Sequence, residues 1–203
     1  MMMELIAPVL SFAVSTSITP GPNNVMVTAS GANFGYRRTL GHILGICFGF
    51  PVMVVAVGLG LGGLFHALPG LHIVLKYLGG AYILWMAWKI AAAGGMGRSS
   101  ARPGKPFTFL QAAGFQWVNP KAWVMAVGAT TAYAIAGGNY FLEIILIALI
   151  FLIVSFPCIS IWTLFGVGIG RVLTRRSWLK LFNAAMALML VASLIPVFLA
   201  WGP

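Results

Sequence analysis

The sequence predicts an all-α membrane protein whose six transmembrane helices form two inverted three-helix repeats. Three observations carry that expectation: the scarcity of charge, the long apolar runs, and the confinement of basic residues to alternate connections. Of 203 residues only 14 are charged, 12 Lys+Arg and 2 Asp+Glu, while 61% are hydrophobic. Mean hydropathy is +1.00. A soluble domain carries about 25% charged residues, and this chain carries 7%. It cannot cover a water-facing surface, which excludes a soluble enzyme and a disordered tail. The isoelectric point near 10.4 invites a nucleic-acid reading, but the Lys and Arg residues are scattered between apolar runs and gather on no single face. No nucleic-acid partner is expected; the lipid bilayer is. Runs such as Leu142 to Phe156 do not alternate polar with apolar residues, so the spans read as helices and not as barrel strands.

Each span needs roughly 20 residues, so about six fit with room for connections. Taken in order, the expected helices cover about 5–28, 40–65, 70–92, 110–135, 142–170 and 179–200. The start, Met1 to Glu4, lacks the basic region of a signal peptide, so the first helix is expected to remain. Arg37 and Arg38 fall in the first connection. Arg98, Arg102 and Lys105, with Lys89 just before them, fall in the third. Arg171, Arg175, Arg176 and Lys180 fall in the fifth. The connections from His66 to His72 and from Ala136 to Tyr140 hold no Lys or Arg. The positive-inside rule places the three basic connections in the cytoplasm and both termini outside.

The stretch Gly94 to Pro106, GGMGRSSARPGKP, reads as a basic cytoplasmic linker. It divides the chain into a first repeat (1–93), the linker (94–106) and a second repeat (107–203). With three helices in each half, homologous halves must be inverted relative to each other. Each half opens with a helix interrupted by Pro and Asn. Each second helix contains Pro and Cys: Cys47 and Pro51, then Pro157 and Cys158.

The first interruption is Thr19-Pro20-Gly21-Pro22-Asn23-Asn24. Two prolines and a glycine cannot sit in an unbroken helix. The expected geometry is a stop and a restart, with Gly21 taking unusual backbone angles and Pro22 at the first position of the new helix. Ser11, Ser15, Thr19 and Asn23 recur every four residues as one polar stripe. Asn23 and Asn24 can supply amides to the carbonyls freed around Ser15 to Ser17, or face a water-filled cavity. The second interruption lies in Gln116-Trp117-Val118-Asn119-Pro120-Lys121. Asn119 and Pro120 read as an N-cap and first-turn pair inside a span. Lys121 then follows at the start of a half-helix, where the dipole disfavours a cation. Insertion at mid-span costs Lys about 2.5–3.5 kcal/mol. A charge so placed reads as awaiting an anion, with snorkelling toward the cytoplasm as the alternative.

These residues resemble the LysE superfamily of amino-acid exporters. TPGPNN, QWVNPKAW and six helices in about 200 residues are similar to its RhtB branch, as are Gly79 to Lys89 (GGAYILWMAWK) and Gly41 to Gly45 (GHILG). Within the branch the pattern looks most like cysteine/O-acetylserine exporters. The resemblance implies a secondary transporter in the bacterial inner membrane and not an enzyme. It would export small neutral amino acids, of the cysteine/O-acetylserine or threonine/homoserine type, by alternating access. It carries the functional positions onto Pro20, Gly21, Pro22, Asn23, Asn24, Asn119, Pro120 and Lys121; Thr19 and Gln116 complete the expected substrate site. A passive channel, or a cation or metal exporter of the same superfamily, remains open. No cofactor is expected.

Other features have plainer readings. Cys47 and Cys158 read as buried small hydrophobes. No metal site is expected, since no acidic residue lies mid-span. His42 is a possible proton relay. Gly41, Gly45 and Gly49, and again Gly166 and Gly170, offer close-packing faces, either within one subunit or in a homodimer. Trp123 and Trp162 read as packing or interfacial aromatics.

Overall fold

A computed structural model describes residues 2–61, 70–93, 105–134, 139–173 and 175–199. The expectations for the connection 62–69, for Arg98 and Arg102 in the linker, and for 135–138 lie outside these residues. Among the described residues the chain is helical throughout, with no strand. In chain order the helices are α1 (Met2–Ile18), α2 (Pro22–Phe34), α3 (Tyr36–Ala56), α4 (Gly70–Ala91), α5 (Phe109–Gln116), α6 (Pro120–Tyr133), α7 (Tyr140–Val172), α8 (Arg176–Ala192) and α9 (Ile195–Leu199), with a wide π turn Val57–Leu61 extending α3.

The helices fall where the apolar runs predict them, with different ends. The first span extends to Phe34 rather than 28, because Gly35, at φ 78°, is the residue that ends α2. The chain turns at once into α3, so the second helix begins at Tyr36 and not at 40. The last expected span is divided at Ser193–Leu194 into α8 and α9. By length and composition α3 with its π turn and α7 can cross a membrane, and α1 with α2 can do so as one span bent by 55°.

The contacts sort the molecule into two ends. At one end Gly170 of α7 lies against Ala32 of α2, Asn33 exchanges amide hydrogen bonds with Asn183 of α8, and Asn183 also donates to the Ala93 carbonyl after α4. This end gathers the basic connections around Arg37, Lys89, Lys105 and Arg171. At the other end Tyr140 donates to the Gly58 carbonyl and Phe12 meets Tyr133 at 5.7 Å. Glu143, buried, opens α7 there. The α1–α2 pair runs toward the basic end and the α5–α6 pair runs away from it.

Apolar packing changes partners at the two breaks. α1 and α6 pack with α3 and α7 through Val9, Ala13, Phe50, Ala126 and Phe151. α2 and Phe115 of α5 pack with α4 and α8 through Met26, Ile83, Met86 and Leu190. Large side chains such as Val52, Val124, Ile153 and Leu188 remain exposed, as on a surface covered by lipid.

Glycine sets the closest approaches, and these are within the chain. A Cβ on Gly45 would stand 2.7 Å from Ala112 Cβ, and one on Gly49 2.6 Å from Ala113 Cα, so α5 lies directly on α3. Gly166 and Gly170 meet the backbone of Thr28 and Ala32 in the same way, and Gly31 meets Thr163. The face running through Gly45, Gly49, Gly166 and Gly170 is therefore occupied by the chain's own helices.

Candidate functional site

The two breaks meet. Thr16, Ser17, Gly21, Asn23, Asn24, Gln116, Asn119, Lys121 and Ala122 line a single cleft, closed off by Ile46, Phe50, Met125, Ser155 and Ile159. Its free space is about 40 Å³, room for a few water molecules.

The first break is built by α1 stopping at Ile18 and α2 restarting at Pro22, which occupies the first helical position as its fixed φ favours. Gly21 is fully extended, with φ −175° and ψ 177°. That backbone suits any residue, so the expectation of unusual angles at Gly21 is corrected. What requires glycine is space: a Cβ there would stand 2.8 Å from Lys121 Cδ and 3.1 Å from Lys121 Nζ.

The carbonyls released at the end of α1 are taken up by side chains. Asn24, buried, donates to Ser17 O at 3.0 Å and Thr19 O at 2.8 Å. Trp162 Nε1 of α7 donates to Ile18 O at 2.9 Å. Lys121 Nζ donates to Thr19 O at 2.7 Å, to Thr19 Oγ1 at 2.9 Å and to Pro20 O at 3.4 Å. The ammonium thus starts on the first turn of α6, where its own helix disfavours it, and ends at the carbonyl end of α1, where the dipole favours a cation. Its stem thus reaches across to the other break.

Of the two expected roles, Asn23 takes the place on the cleft and does not join Asn24 on the freed carbonyls. It exchanges two amide hydrogen bonds with Gln116, at 2.9 and 3.1 Å, and so ties α2 to the end of α5. The expected stripe of Ser11, Ser15, Thr19 and Asn23 is also corrected. Ser11, Ser15 and Thr19 are exposed, and Ser15 bonds back to the Ser11 carbonyl. The 55° bend takes Asn23 off their line, and Thr16 and Ser17 face the cleft in their place.

The second break is capped as its sequence predicts. Asn119 Oδ1 accepts from the Lys121 backbone N–H at 3.2 Å, and Pro120 begins α6. The two half-helix N-termini, at Asn23–Asn24 and at Lys121–Ala122, border the same cleft. The first N–H groups of a helix have no partner within it, and both ends carry partial positive charge.

A sequence profile of the LysE type translocator matches residues 14–200. The chain belongs to the LysE type translocator family. Cysteine/O-acetylserine efflux proteins are among the relatives of this translocator. That of Salmonella typhimurium is 28% identical over 195 residues, covering 96% of this chain and 97% of the relative. That of Salmonella typhi is 27% identical and that of Escherichia coli strain K12 is 25% identical, each with the same coverage. No solved structure matches.

Of the residues singled out in this translocator's sequence, Gly21, Asn23, Asn24, Gln116, Asn119 and Lys121 converge on the cleft. Thr19 and Pro20 reach it through their bonds to Lys121, while Pro22 and Pro120 start the half-helices. His42 is not brought to the cleft. It is fully buried, its Nδ1 3.3 Å from Ser30 Oγ and its Nε2 without a hydrogen-bond partner among the described residues. Cys47 and Cys158 are free and buried. Thr16, Ser17, Ser155 and Trp162 join the site unannounced. Trp162, read as a packing aromatic, had one available signal: an indole N–H deep in an apolar helix requires an acceptor.

Proposed function

We propose that this chain is a secondary transporter of the inner membrane that exports small neutral amino acids or their derivatives by alternating access. Cysteine and O-acetylserine lead the candidates, with threonine and homoserine next. The observation that carries the reading is Lys121: its ammonium stands beside two half-helix N-termini, held only by uncharged oxygens. An amino acid always offers a carboxylate, and this arrangement receives one whatever the side chain. A carboxylate oxygen is a stronger partner for the ammonium than a carbonyl, so substrate can draw Lys121 away from Thr19 and Pro20 and release the end of α1. Among the described residues no acidic side chain lines the cleft, which favours neutral over cationic substrates. The names of the relatives agree with this substrate class. The opposite courses of the α1–α2 and α5–α6 pairs support two inverted repeats, and the gathering of basic connections at one end supports a cytoplasmic assignment for that end.

Counterflow in proteoliposomes tests the function. Vesicles loaded with O-acetylserine should accumulate labelled O-acetylserine saturably, and unlabelled cysteine should compete where lysine does not. Non-saturable flux would make the protein a channel, and equal competition by lysine would remove the neutral-substrate reading. Reporter fusions after Gly97 and Gly138 should read cytoplasmic and external; the reverse pattern overturns the orientation.

A further inference from the structure

A second cavity, of about 220 Å³, lies away from the central cleft, between α2, the end of α4 and the segment entering α5. Ser30, Asn33, Trp88, Lys89, Lys105 and Phe107 are on its walls. Two of these are cations, and among the described residues no acidic side chain lines it. Glu143 opens α7, whose opposite end carries Gly170 against Ala32 beside this cavity. Glu4 sits near the start of α1, at the far end from the break.

The lysines differ in how they are held. Lys89 Nζ is 4.8 Å from the centre of the Trp85 ring and 4.5 Å from that of Phe107. Two aromatic faces fix the ammonium at the wall without neutralising it. Lys105 is exposed and lines the same cavity. Asn33 spends its amide on Ala29 O and Asn183, so it is a rigid wall. Ser30 Oγ, 3.3 Å from His42 Nδ1, keeps a further hydrogen-bonding position open. One cation held by aromatic rings, one exposed cation and a hydroxyl around an open volume suit a tetrahedral or planar oxyanion.

We propose that this cavity is a second binding site, taking a singly or doubly charged oxyanion through Lys89 and Lys105. The group is a phosphate or carboxylate, from an anionic lipid headgroup or from a soluble anion. The site lies at the basic end, beyond the packing of α2 on α4, and is separate from the receptor at Lys121. It stands whether or not the transported substrate is an amino acid.

The test uses the full chain in two arms. In the first, native mass spectrometry of the detergent-solubilised protein measures retention of phosphatidylglycerol against phosphatidylcholine. In the second, thermal unfolding in phosphatidylcholine nanodiscs is followed with inorganic phosphate or succinate against chloride at equal ionic strength. Lys89→Gln with Lys105→Gln should lower the affinity for the anion by roughly tenfold or more. Lys105→Gln alone, on an exposed side chain, should give a severalfold loss and keeps the test valid if the double variant misfolds. Lys180→Gln, an exposed cation at the same end, is the control. A preference in the first arm identifies a lipid, and a shift in the second a soluble anion. The proposal is overturned if wild type shows no preference in either arm, or if Lys180→Gln lowers binding as much as Lys105→Gln.

Discussion

The two helix breaks solve one problem in opposite ways. At the second, the chain closes on itself. Trp117, Val118 and Asn119 donate their own N–H groups three residues back, to Gly114, Phe115 and Gln116, and Asn119 caps the next helix. At the first, the carbonyls of Ser17, Ile18, Thr19 and Pro20 are held by side chains from α2, α7 and α6. Proline count explains the difference. WVNP lacks an N–H only at Pro120, whereas TPGP lacks one at Pro20 as well as at Pro22. A break that cannot satisfy itself must be satisfied by its neighbours, and one of those neighbours is a charge. The self-contained break holds Lys121 at a fixed helix start, and in the proposed reading the carbonyls of the open break are what a ligand displaces from its ammonium.

Lys121→Met sharpens this contrast most. It leaves Thr19 and Pro20 without their charged donor but removes a costly intramembrane charge, so the protein should insert and fold. O-acetylserine counterflow should fall by more than about tenfold, the scale of one charged hydrogen bond. Normal counterflow from this variant would reduce Lys121 to a packing residue. Lys121→Arg should also impair transport, since a planar fork does not fit where a compact ammonium does.

Paired asparagine changes come next. Asn24→Ala leaves the buried Ser17 carbonyl without its donor and takes one of two donors from Thr19 O, and should cost about 2–3 kcal/mol in stability. Asn119→Ala removes only a cap and should cost about 1 kcal/mol. Denaturation of both variants in the same detergent decides the matter; equal losses would mean the two breaks are equivalent.

A glycine pair separates function from fold. Gly21→Ala pushes against the flexible end of Lys121, so transport should drop severalfold while thermal stability changes little. Gly114, in α5 before the second break, has nothing within 4 Å of its would-be Cβ. Gly114→Ala should leave transport intact and raise stability by up to about 1 kcal/mol. The comparison fails if Gly114→Ala harms transport as much as Gly21→Ala.

Much of this was legible in the sequence because proline and charge act locally. Pro22 and Pro120 could only begin helices, Asn119 before Pro120 could only cap one, and Lys121 in an apolar span demanded a partner. What stayed hidden was long-range. Nothing local marks Gln116 as the partner of Asn23, 93 residues away, or Trp162 as the donor to Ile18, 144 residues away. Gly21 lines the cleft for a reason other than the one its sequence suggested, because crowding by a side chain from another helix leaves no trace in neighbouring residues. The polar stripe failed because it assumed one helical axis through a 55° bend.

One helix carries both reciprocal amide pairs. α2 is clasped to Gln116 at Asn23 and to Asn183 at Asn33, and its length between is set by thirteen residues of uninterrupted helix. Such an element behaves as a connecting rod with a pin at each end. Along the shaft Thr28 and Ala32 ride directly on Gly166 and Gly170, and through Asn183 and its bond to the Ala93 carbonyl the rod reaches α8 and the tail of α4. One stiff part thus spans from the cleft to the basic end.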